Sequence, residues 1–377
     1  MTEKSAYARA GVDVDIEVQA SRIMYEASKE TFAHRKGRIG EIIAPFDDFS
    51  GIKMVDVSAL PEGSFFSVGF DTAGTKVEVA QRVGKHDTIA FDVLAMVCDD
   101  ALVRGGEPVL VGTNLDLQSL GTDDRYLPIV RELATGYVAA AKMANVSIIN
   151  GEIVQMGSLV QGNGDFPYHW GAACVWFGRK DKILKGDEIK LGDSIVLLRE
   201  HGFRCNGWSL VRKIFTEAHG KDWHNIAHEG STLGLIALSP SIIYSQFVVG
   251  LHGGFDADGT TEIHGVAHIT GGGVREKMKR MLRPSGLGAK LTDLFEPAEI
   301  IAYCQKTGSV SDADAYGAWN MGQGMALITP EPEKVLAEAA KAGIEAKIAG
   351  EIVGEPKISI VSKGTERPGQ ILEFDVE

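Results

Sequence analysis

A carboxylate and a lysine flank a short run of small residues that reads Asp71-Thr72-Ala73-Gly74-Thr75-Lys76. The run differs from a P-loop, in which glycine and lysine precede a serine or threonine, because here the threonine precedes the lysine. An aspartate at the end of a strand can hold Mg²⁺, small residues let a phosphate group approach the backbone, and a lysine adds a positive charge. We therefore predict part of a magnesium–nucleotide site here; the alternative is an ordinary strand-to-helix turn with a solvated lysine.

Asp92, Asp99 and Asp100 follow along a predicted helix over residues 86–103, whose other residues are mostly apolar. On a helix, positions 92, 96, 99 and 100 share one face, so Asp92, Asp99 and Asp100 project in the same direction. Buried carboxylates are costly unless they are paired or bind a metal, and Mg²⁺ prefers a few carboxylates together with phosphate oxygens. This helix is therefore predicted to contribute to the metal site; a solvated acidic stripe or a helix cap is the alternative.

Three glycine-containing turns follow predicted strands or precede predicted helices. Glu152 in Asn150-Gly151-Glu152 follows a predicted strand over residues 146–149, at the edge where α/β proteins collect ligands. Asn206-Gly207 precedes a predicted helix over 208–215, and His268 with Thr270-Gly271-Gly272-Gly273 precedes one over 274–282. Helix N-termini bind anions readily, so the last two turns are candidates for holding a phosphorylated ligand. Tight turns and a structural histidine are the alternatives.

These residues need a framework of strands and helices to position them. Strands are predicted over residues 65–70, 109–117, 146–149, 172–177, 193–198, 266–269, 325–328 and 346–353, and helices over residues 15–33, 86–103, 126–143, 208–215 and 274–282. Glycines stand at the ends of the apolar runs, as in α/β proteins with tight turns. The charged segment 179–192 predicts a boundary between two α/β (α+β) domains, over residues 1–180 and 186–377.

Composition excludes several classes of protein. The chain has 377 residues and a formal net charge of −13, which disfavours non-specific nucleic-acid binding and a membrane-surface role because both need basic faces. The sequence has no apolar run of membrane-spanning length, and its first fifteen residues lack the apolar region of a signal peptide. Its four cysteines are far apart and lack metal-ligand spacing. We therefore expect a cytoplasmic enzyme that binds neither nucleic acid nor membrane.

Taken together and in order, the motifs resemble the aminoimidazole ribonucleotide synthetase (phosphoribosylformylglycinamidine cyclo-ligase) family over nearly the whole chain. The blocks that carry the resemblance are Tyr7-Ala8-Arg9-Ala10-Gly11-Val12-Asp13, Gly74-Thr75-Lys76, Lys85-His86-Asp87-Thr88-Ile89, Gly106-Glu107-Pro108, Asn206-Gly207-Trp208-Ser209-Leu210-Val211-Arg212-Lys213, Ala267-His268-Ile269-Thr270-Gly271-Gly272-Gly273 and Asn320-Met321-Gly322-Gln323-Gly324-Met325. Each block alone is short, and the specificity comes from their order.

The resemblance implies a two-domain synthetase fold and a homodimer in which the N-terminal domains pair through a barrel-like sheet. It implies ATP and Mg²⁺ as cofactors and a phosphorylated ribonucleotide as substrate. ATP would phosphorylate the formyl oxygen of formylglycinamidine ribonucleotide; the neighbouring amine would then attack the activated carbon, expel phosphate and close the ring. In such phosphoryl transfer, positioning and electrostatics do most of the work.

The resemblance also implies roles for individual residues. The implied catalytic residues are Asp71, Lys76, Asp100 and Glu152. The implied metal ligands are Asp71, Asp92 and Asp100. The implied ATP- and phosphate-binding residues are Gly74, Thr75, Lys76, His86, Asp87 and Asp92. The implied substrate-binding residues are Asn206, Gly207, His268, Thr270, Gly271 and Gly272.

Departures from the family pattern cluster at these predicted ligand sites. The glycine-dense loop of the family is thinned here to residues 37–40 and 44–51, and the family's second carboxylate after Gly-Gly-Glu is Gln155. Its Asn-Asp is Asp99-Asp100, its Pro-His-Ser is Phe203-Arg204-Cys205, and its Thr-Arg is Ser241-Ile242. Three interpretations stay open: a divergent enzyme of this kind, a paralogous ATP-dependent kinase or ligase with another substrate, and a non-catalytic nucleotide-binding protein.

Overall fold

The computed structural model describes residues 13–376. The block at residues 7–13 that contributes to the family resemblance lies outside the described residues except for its last member, as does most of the N-terminal stretch in which no signal peptide is predicted. Within residues 13–376, no helix combines the length and the apolar character needed to cross a bilayer.

Strands and helices alternate along the chain. The α-helices of the described residues are α1 (Val14–Thr31), α2 (Val77–Val83), α3 (Ile89–Leu102), α4 (Leu127–Ala144), α5 (Trp208–His219), α6 (Leu233–Ala237), α7 (Ser245–His252), α8 (Gly273–Leu282), α9 (Glu299–Thr307), α10 (Asp312–Ala318) and α11 (Pro332–Ala342). The strands are β1 (Ile42–Ile43), β2 (Met54–Val55), β3 (Ser64–Thr72), β4 (Glu107–Leu117), β5 (Ser147–Gln155), β6 (Tyr168–Arg179), β7 (Ser194–Arg199), β8 (Ala227–His228), β9 (Ser231–Thr232), β10 (Gly265–His268), β11 (Gly288–Leu291), β12 (Gln323–Thr329), β13 (Ala346–Val353), β14 (Lys357–Val361) and β15 (Ile371–Asp375).

The first large sheet has the strand order β3-β6-β4-β5. β3 and β4 both pair antiparallel with β6, whereas β5 pairs parallel with β4. Helix α3 packs against β3, β4 and β6 with an almost wholly buried surface. Along β3, exposed and less exposed residues alternate, and Phe66 and Phe70 on the outer face are 66% and 78% exposed. One face of this sheet is therefore core, and the other is apolar and open.

The second large sheet has the order β10-β12-β7-β13-β11-β14-β15. Its neighbouring strands are antiparallel except for the parallel pair β11 and β14. The two sheets occupy residues 64–179 and 194–375, and the predicted division between residues 180 and 186 falls between them. The independence of the two halves as domains stays a prediction.

Helix α3 lies at the junction of the two halves. It packs on the first sheet and also contacts α7 and β10 of the second half. It begins at Ile89 rather than at residue 86, with Thr88 at its N-cap position. Because the helix faces both halves, its aspartates point into the space between them.

The predicted end of β5 is wrong. The strand predicted to stop before Asn150-Gly151 continues through both residues, since β5 runs to Gln155. A β-bulge absorbs the change: Val111 pairs with Ile148 and Gly112 with Asn150, so Ile149 is the extra residue. The turn predicted from Asn-Gly is thus replaced by a local irregularity inside a strand. Thirteen elements of the described residues received no prediction, namely α2, α6, α7, α9, α10, α11, β1, β2, β8, β9, β11, β14 and β15.

Candidate active site between the two sheets

Two aspartates meet at the junction. Asp71 is the penultimate residue of β3, and Asp100 lies in the last turn of α3. Burial raises the pKa of Asp71, and the negative charge of Asp100 raises it further, against the backbone N–H of Thr72 and the charge of Lys277. The Asp100 side chain is half-exposed. Two like charges that repel each other at the edge of solvent form a place that a cation would stabilise.

A chain of hydrogen bonds fixes the position of Asp100. Nδ1 of His268 lies 2.7 Å from Oδ1 of Asp100, and Nη2 of Arg204 lies 2.8 Å from Nε2 of His268. A guanidinium only donates hydrogen bonds, so Nε2 of His268 accepts and its Nδ1–H donates to Asp100. Burial, together with the charge of Arg204, lowers the pKa of His268 to about 4. His268 is therefore a neutral donor that orients the carboxylate.

The same contact affects the acidity of Asp100. Burial alone would raise its pKa, but the hydrogen bond from His268 and the nearby charges of Lys277 and Arg204 produce a net lowering. The Asp100 carboxylate is consequently held in its charged form. A charged, oriented carboxylate is what a metal or a cationic ligand requires.

Two of the departures from the family pattern contact each other. Nη2 of Arg204 lies 3.4 Å from Oδ2 of Asp99, and its Nη1 donates to Oε2 of Glu200 at 3.0 Å. All three side chains are at most 2% exposed. Burial raises the pKa of Asp99 to about 6, although Arg204, Ser245 and the backbone N–H of Tyr244 act against it. Because a buried arginine needs carboxylates and a buried carboxylate needs a cation, the two exchanges compensate each other.

Lys76 and Asp92, by contrast, are bound to each other. Nζ of Lys76 lies 2.8 Å from Oδ2 of Asp92, and it also donates to the carbonyl oxygens of Ser239 at 2.7 Å and Phe203 at 3.1 Å. The hydroxyl of Ser241 donates to Asp92 as well. Both charged side chains are 0% exposed. The predicted phosphate-binding lysine and metal-binding aspartate are therefore bound to each other and to the protein, and these contacts do not include Asp71 or Asp100.

The predicted glycine turns meet at the same junction. A Cβ on Gly74 would lie 3.2 Å from the carbonyl oxygen of Cys205, and one on Gly271 would lie 3.3 Å from Nδ2 of Asn206. At Gly207 the backbone has a φ of +78°, and a Cβ there would lie 2.5 Å from Cδ1 of Trp319, so only glycine fits. Thr75, in the turn after β3, is exposed. In the turn before α8, Thr270 is buried and Gly272 has a φ of +89°.

The side chain of Asn206 has a polar atom without a partner at this junction. Oδ1 of Asn206 is buried and accepts no hydrogen bond from any described residue. A buried acceptor without a donor costs about 1–3 kcal/mol, so a ligand that donates a hydrogen bond there would bind favourably. The turn at residues 206–207 therefore fits the role of a ligand contact.

His86 and Asp87 lie at the other end of α3. His86 is buried and its Nδ1 lies 3.1 Å from the hydroxyl of Tyr168, while Asp87 pairs with Lys85 at 2.8 Å. Eleven helical residues, or about 16 Å at 1.5 Å per residue, separate Ile89 from Asp100. The structure thus does not bring these two predicted nucleotide-binding residues together with Asp71 and Asp100.

Glu152 is joined to Asp71 by the open face of the first sheet. Both residues line a cavity of about 630 Å³, together with Phe70, Asn114 and Asn150. Glu152 also lines a cavity of about 400 Å³ beneath α1, whose wall includes residues 49–51 of the thinned loop. The carboxylate therefore stands between the sheet face and the segment that replaces the glycine-dense loop.

Asp100 lines a basic cavity that was not predicted from the sequence. This cavity of about 240 Å³ is lined by Asp100 and His268 and by the cationic side chains of Arg104, Lys277 and Arg280. Lys277 and Arg280 belong to α8, directly after the triple glycine. The basic residues at positions 275–280 carried the signal, because a cationic helix after a glycine turn indicates an anion site.

A bound Mg²⁺ would need oxygen ligands from its nucleotide. Within the described part of the chain, no group of three or more His, Cys, Asp or Glu residues is placed to hold a metal ion. Mg²⁺ is usually bound by one or two carboxylates and completes its shell with phosphate oxygens and water. Asp71 and Asp100 fit that requirement, since the charge of Asp100 disfavours the charge of Asp71 and each aspartate lines a cavity of its own.

A carboxylate-lined cleft between a four-stranded sheet with an open face and a larger α/β unit defines the AIR synthase class of folds. Residues 54–173 match the family described as AIR synthase related protein, N-terminal domain, and residues 190–363 match the corresponding C-terminal domain. The chain is 33% identical over 357 residues to a phosphoribosylformylglycinamidine cyclo-ligase of Desulfitobacterium hafniense, and the match covers 93% of this chain and 97% of that protein. The chain belongs to the AIR synthase family.

Solved structures share the fold at low sequence identity. Thiamine-monophosphate kinase from Stenotrophomonas maltophilia matches with a TM-score of 0.60 at 12% identity, covering 92% of this chain and 97% of that one. Hydrogenase maturation protein HypE in complex with ATP matches with a TM-score of 0.54 at 15% identity, covering 91% and 92%. These likenesses establish the architecture alone.

Proposed function

We propose that the cleft at Asp71 and Asp100 is the active site of an ATP-dependent cyclo-ligase. The chain is an enzyme that closes the ring of formylglycinamidine ribonucleotide to give aminoimidazole ribonucleotide in purine biosynthesis. The observation that carries the assignment is the convergence of Asp71, Asp100 and His268 with the glycine turns at 206–207 and 270–273, in a chain related along its length to cyclo-ligases.

The residues of the cleft divide the work between two ligands. Asp71 and Asp100 would hold Mg²⁺, with Glu152 beside the nucleotide and the turn at Gly74-Thr75 close to its phosphates. When bound, Mg-ATP supplies the phosphoryl group and neutralises developing charge. Asn206 and the turn at residues 270–272 would hold the phosphorylated ribonucleotide against it, because their backbone and amide donors suit anionic and carbonyl oxygens.

The Lys76–Asp92 pair has a different role in this proposal. Its bonds to the carbonyls of Phe203 and Ser239 tie the turn after β3 to two segments of the second half. Holding these segments sets the distance between the nucleotide side and the substrate side. We therefore propose that Lys76 and Asp92 position the two sides of the cleft. His86 and Asp87 have a structural role at the start of α3.

Turnover by the purified protein tests the proposal directly. With Mg-ATP and formylglycinamidine ribonucleotide, the protein should release ADP and phosphate and form the aminoimidazole product in equal amounts. Asp71→Asn and Asp100→Asn should each abolish product formation, while the exposed aspartate variant Asp293→Asn should behave as wild type. Release of ADP without the aminoimidazole product would contradict the assignment.

The open face of the first sheet supports a homodimer. Phe66, Val68 and Phe70 of β3 are 66%, 41% and 78% exposed on one face, and adjacent apolar side chains of this size usually mark an interaction surface. We propose that two copies pair through this face, as the family resemblance implies. Light scattering should give twice the chain mass for wild type, and Phe66→Ser with Phe70→Ser should shift the mass towards that of the monomer.

We also propose a cytoplasmic location for this enzyme.

A paralogous enzyme with another substrate is the second candidate. Gln155, which replaces a carboxylate of the family pattern, donates to Glu17 at 2.8 Å and accepts from the backbone N–H of Leu120, so it serves the protein rather than a ligand. A thermal-shift screen with ATP, ADP and purine-pathway nucleotides distinguishes the candidates, since a specific ligand stabilises by mass action. Stabilisation by ATP but not by formylglycinamidine ribonucleotide would favour the paralogue.

A further inference from the structure

Lys277 occupies the place next to Asp100 that the sequence had assigned to Lys76. It lies in α8, is half-buried, and lines the basic cavity together with Asp100 and His268. Its charge acts on both proposed metal ligands, since it opposes the rise in the pKa of Asp71 and contributes to the lowering for Asp100. A lysine therefore does line a cavity with Asp100 and act on the charge of Asp71, but it comes from the second half of the chain.

The cations of this cavity lack carboxylate partners. Among residues 13–376, no Asp or Glu forms an ion pair with Lys277, Arg280 or Arg104, and the one hydrogen bond of the Arg104 guanidinium goes to the carbonyl oxygen of Leu184 at 3.3 Å. The whole chain carries a net charge of −13, so carboxylates are plentiful elsewhere. Burial, with a contribution from Arg280, lowers the pKa of Lys277 against the charges of Asp100 and Asp71. Three cations share this cavity with the single carboxylate of Asp100, and the resulting excess of positive charge forms a site for an anion.

We propose that Lys277, Arg280 and Arg104 form a phosphate-binding subsite of the active site, in which Lys277 makes the lysine–phosphate contact. The inference rests on the proposed function and specifies one part of it. The cavity of about 240 Å³ is smaller than the about 300–1,000 Å³ of pockets that enclose a whole small molecule. It therefore receives the phosphate end of a ligand whose remainder lies outside it.

The chemistry of the three side chains fits a phosphate group. An arginine presents a planar fork that matches two phosphate oxygens, whereas a lysine acts as a compact point charge. The phosphate has two possible sources, the triphosphate of the nucleotide and the monophosphate of the ribose. In either case it would place its negative charge beside Lys277 and leave Asp71 and Asp100 to face the cation.

Binding measurements on three variants test the subsite without requiring turnover. Lys277→Met removes the charge, Lys277→Arg retains it, and Lys279→Met removes an equal charge from the same helix at a position that does not line the cavity. The probes are tripolyphosphate for the nucleotide source and ribose 5-phosphate for the substrate source, titrated by calorimetry in the absence of Mg²⁺. Arg280→Met serves as a second removal if Lys277→Met proves unstable.

Lys277→Met should weaken one of the two probes by about tenfold or more, the worth of one charge-assisted hydrogen bond. Lys277→Arg should restore most of the affinity, and Lys279→Met should stay within about twofold of wild type because Lys279 does not line the cavity. The probe that weakens identifies the source of the phosphate, and the KM of the matching ligand should rise in turnover. Unchanged binding of both probes to Lys277→Met and Arg280→Met would overturn the subsite. If probe binding is lost as expected but no aminoimidazole product forms, the proposed function fails and the subsite stands.

Discussion

Two charged pairs connect the same two segments of the chain, and they differ in what satisfies them. Lys76 and Asp92 link the turn after β3 to the first turn of α3, have opposite charges and are fully buried. Asp71 and Asp100 link the end of β3 to the last turn of α3, have like charges and border cavities. The first pair is neutralised within the protein, whereas the like charges of the second repel each other, and we propose that a bound cation neutralises them.

This difference shows what an aspartate in an apolar helix can and cannot indicate. The sequence of α3 requires that Asp92, Asp99 and Asp100 find partners, because an unpaired buried carboxylate is costly. It does not state whether the partner is a lysine, an arginine or a metal. Only the packing of α3 against residues 203–204 and 239–245 decides that Asp92 and Asp99 are paired internally, whereas Asp100 stays half-exposed beside His268.

The largest effect is expected from breaking the internal pair. Lys76→Met leaves Asp92 buried without a counter-charge, so the free energy of unfolding should fall by about 3–5 kcal/mol in urea titrations. Adding Asp92→Asn should recover part of the loss, because the remaining amide carries no charge. Lys85→Met, which breaks the exposed pair with Asp87, should cost only about 0–1 kcal/mol. Equal losses for Lys76→Met and Lys85→Met would refute the assignment of Lys76 to positioning.

A somewhat smaller effect is expected at Arg204, which links the buried carboxylates of Asp99 and Glu200 to His268 in the candidate site. Arg204→His removes the cation between Asp99 and Glu200, and unfolding should become easier by about 3 kcal/mol, since Asp99 keeps its bonds from Ser245 and Tyr244. Asp99→Asn combined with Arg204→His restores the family's residue types and should be more stable than the sum of the two single changes predicts. A double-mutant cycle measures this coupling; additive losses would mean that the two exchanges do not compensate.

Removing a carboxylate of the open pair should affect binding rather than folding. Asp71→Asn should weaken Mg-dependent ATP binding by at least about tenfold, because even residues that only support metal ligands contribute 10–100-fold. The stability of the unliganded protein should stay unchanged or rise slightly, since burial and Asp100 already make the charge of Asp71 unfavourable. Calorimetry with and without Mg²⁺ measures the first effect and urea unfolding the second. A large stability loss would place Asp71 with the internal pair instead.

The strands and helices that carry the site could be predicted because their periodic apolar patterns are local. The end of β3 at Thr72, the helix α3 and the start of α5 at Trp208 lie within a few residues of the predicted bounds. The wrong stop at Asn150-Gly151 has a physical reason, since β4 offers a full row of partners and a bulge at Ile149 costs less than losing them. Local turn preference was outweighed by strand pairing.

The membership of the site depended on contacts that sequence spacing does not contain. Lys76 is one turn from Asp71, yet its amine points to carbonyls more than 120 residues away, at Phe203 and Ser239. Lys277 is far from both aspartates in sequence and was not considered, although α8 is rich in basic residues after a triple glycine. The sequence therefore predicted the carboxylates of the cleft and missed the cations opposite them.

The smallest effect is expected at His86, at the far end of α3. Burial lowers the pKa of His86, while Glu132 and Asp87 act in the opposite direction. Because its folded pKa lies below the unfolded value of about 6.5, the stabilisation is fully present above pH 6.5 and is lost as the pH falls through that value towards the folded pKa. His86→Gln should therefore flatten the fall in stability on acidification from pH 7 to 5. Its affinity for Mg-ATP at pH 7.5 should equal that of wild type, because His86 contacts Tyr168 and not the cleft. A loss of ATP affinity comparable to that of Asp71→Asn would return His86 to the nucleotide site and extend the ligand-dependent region along the whole length of α3.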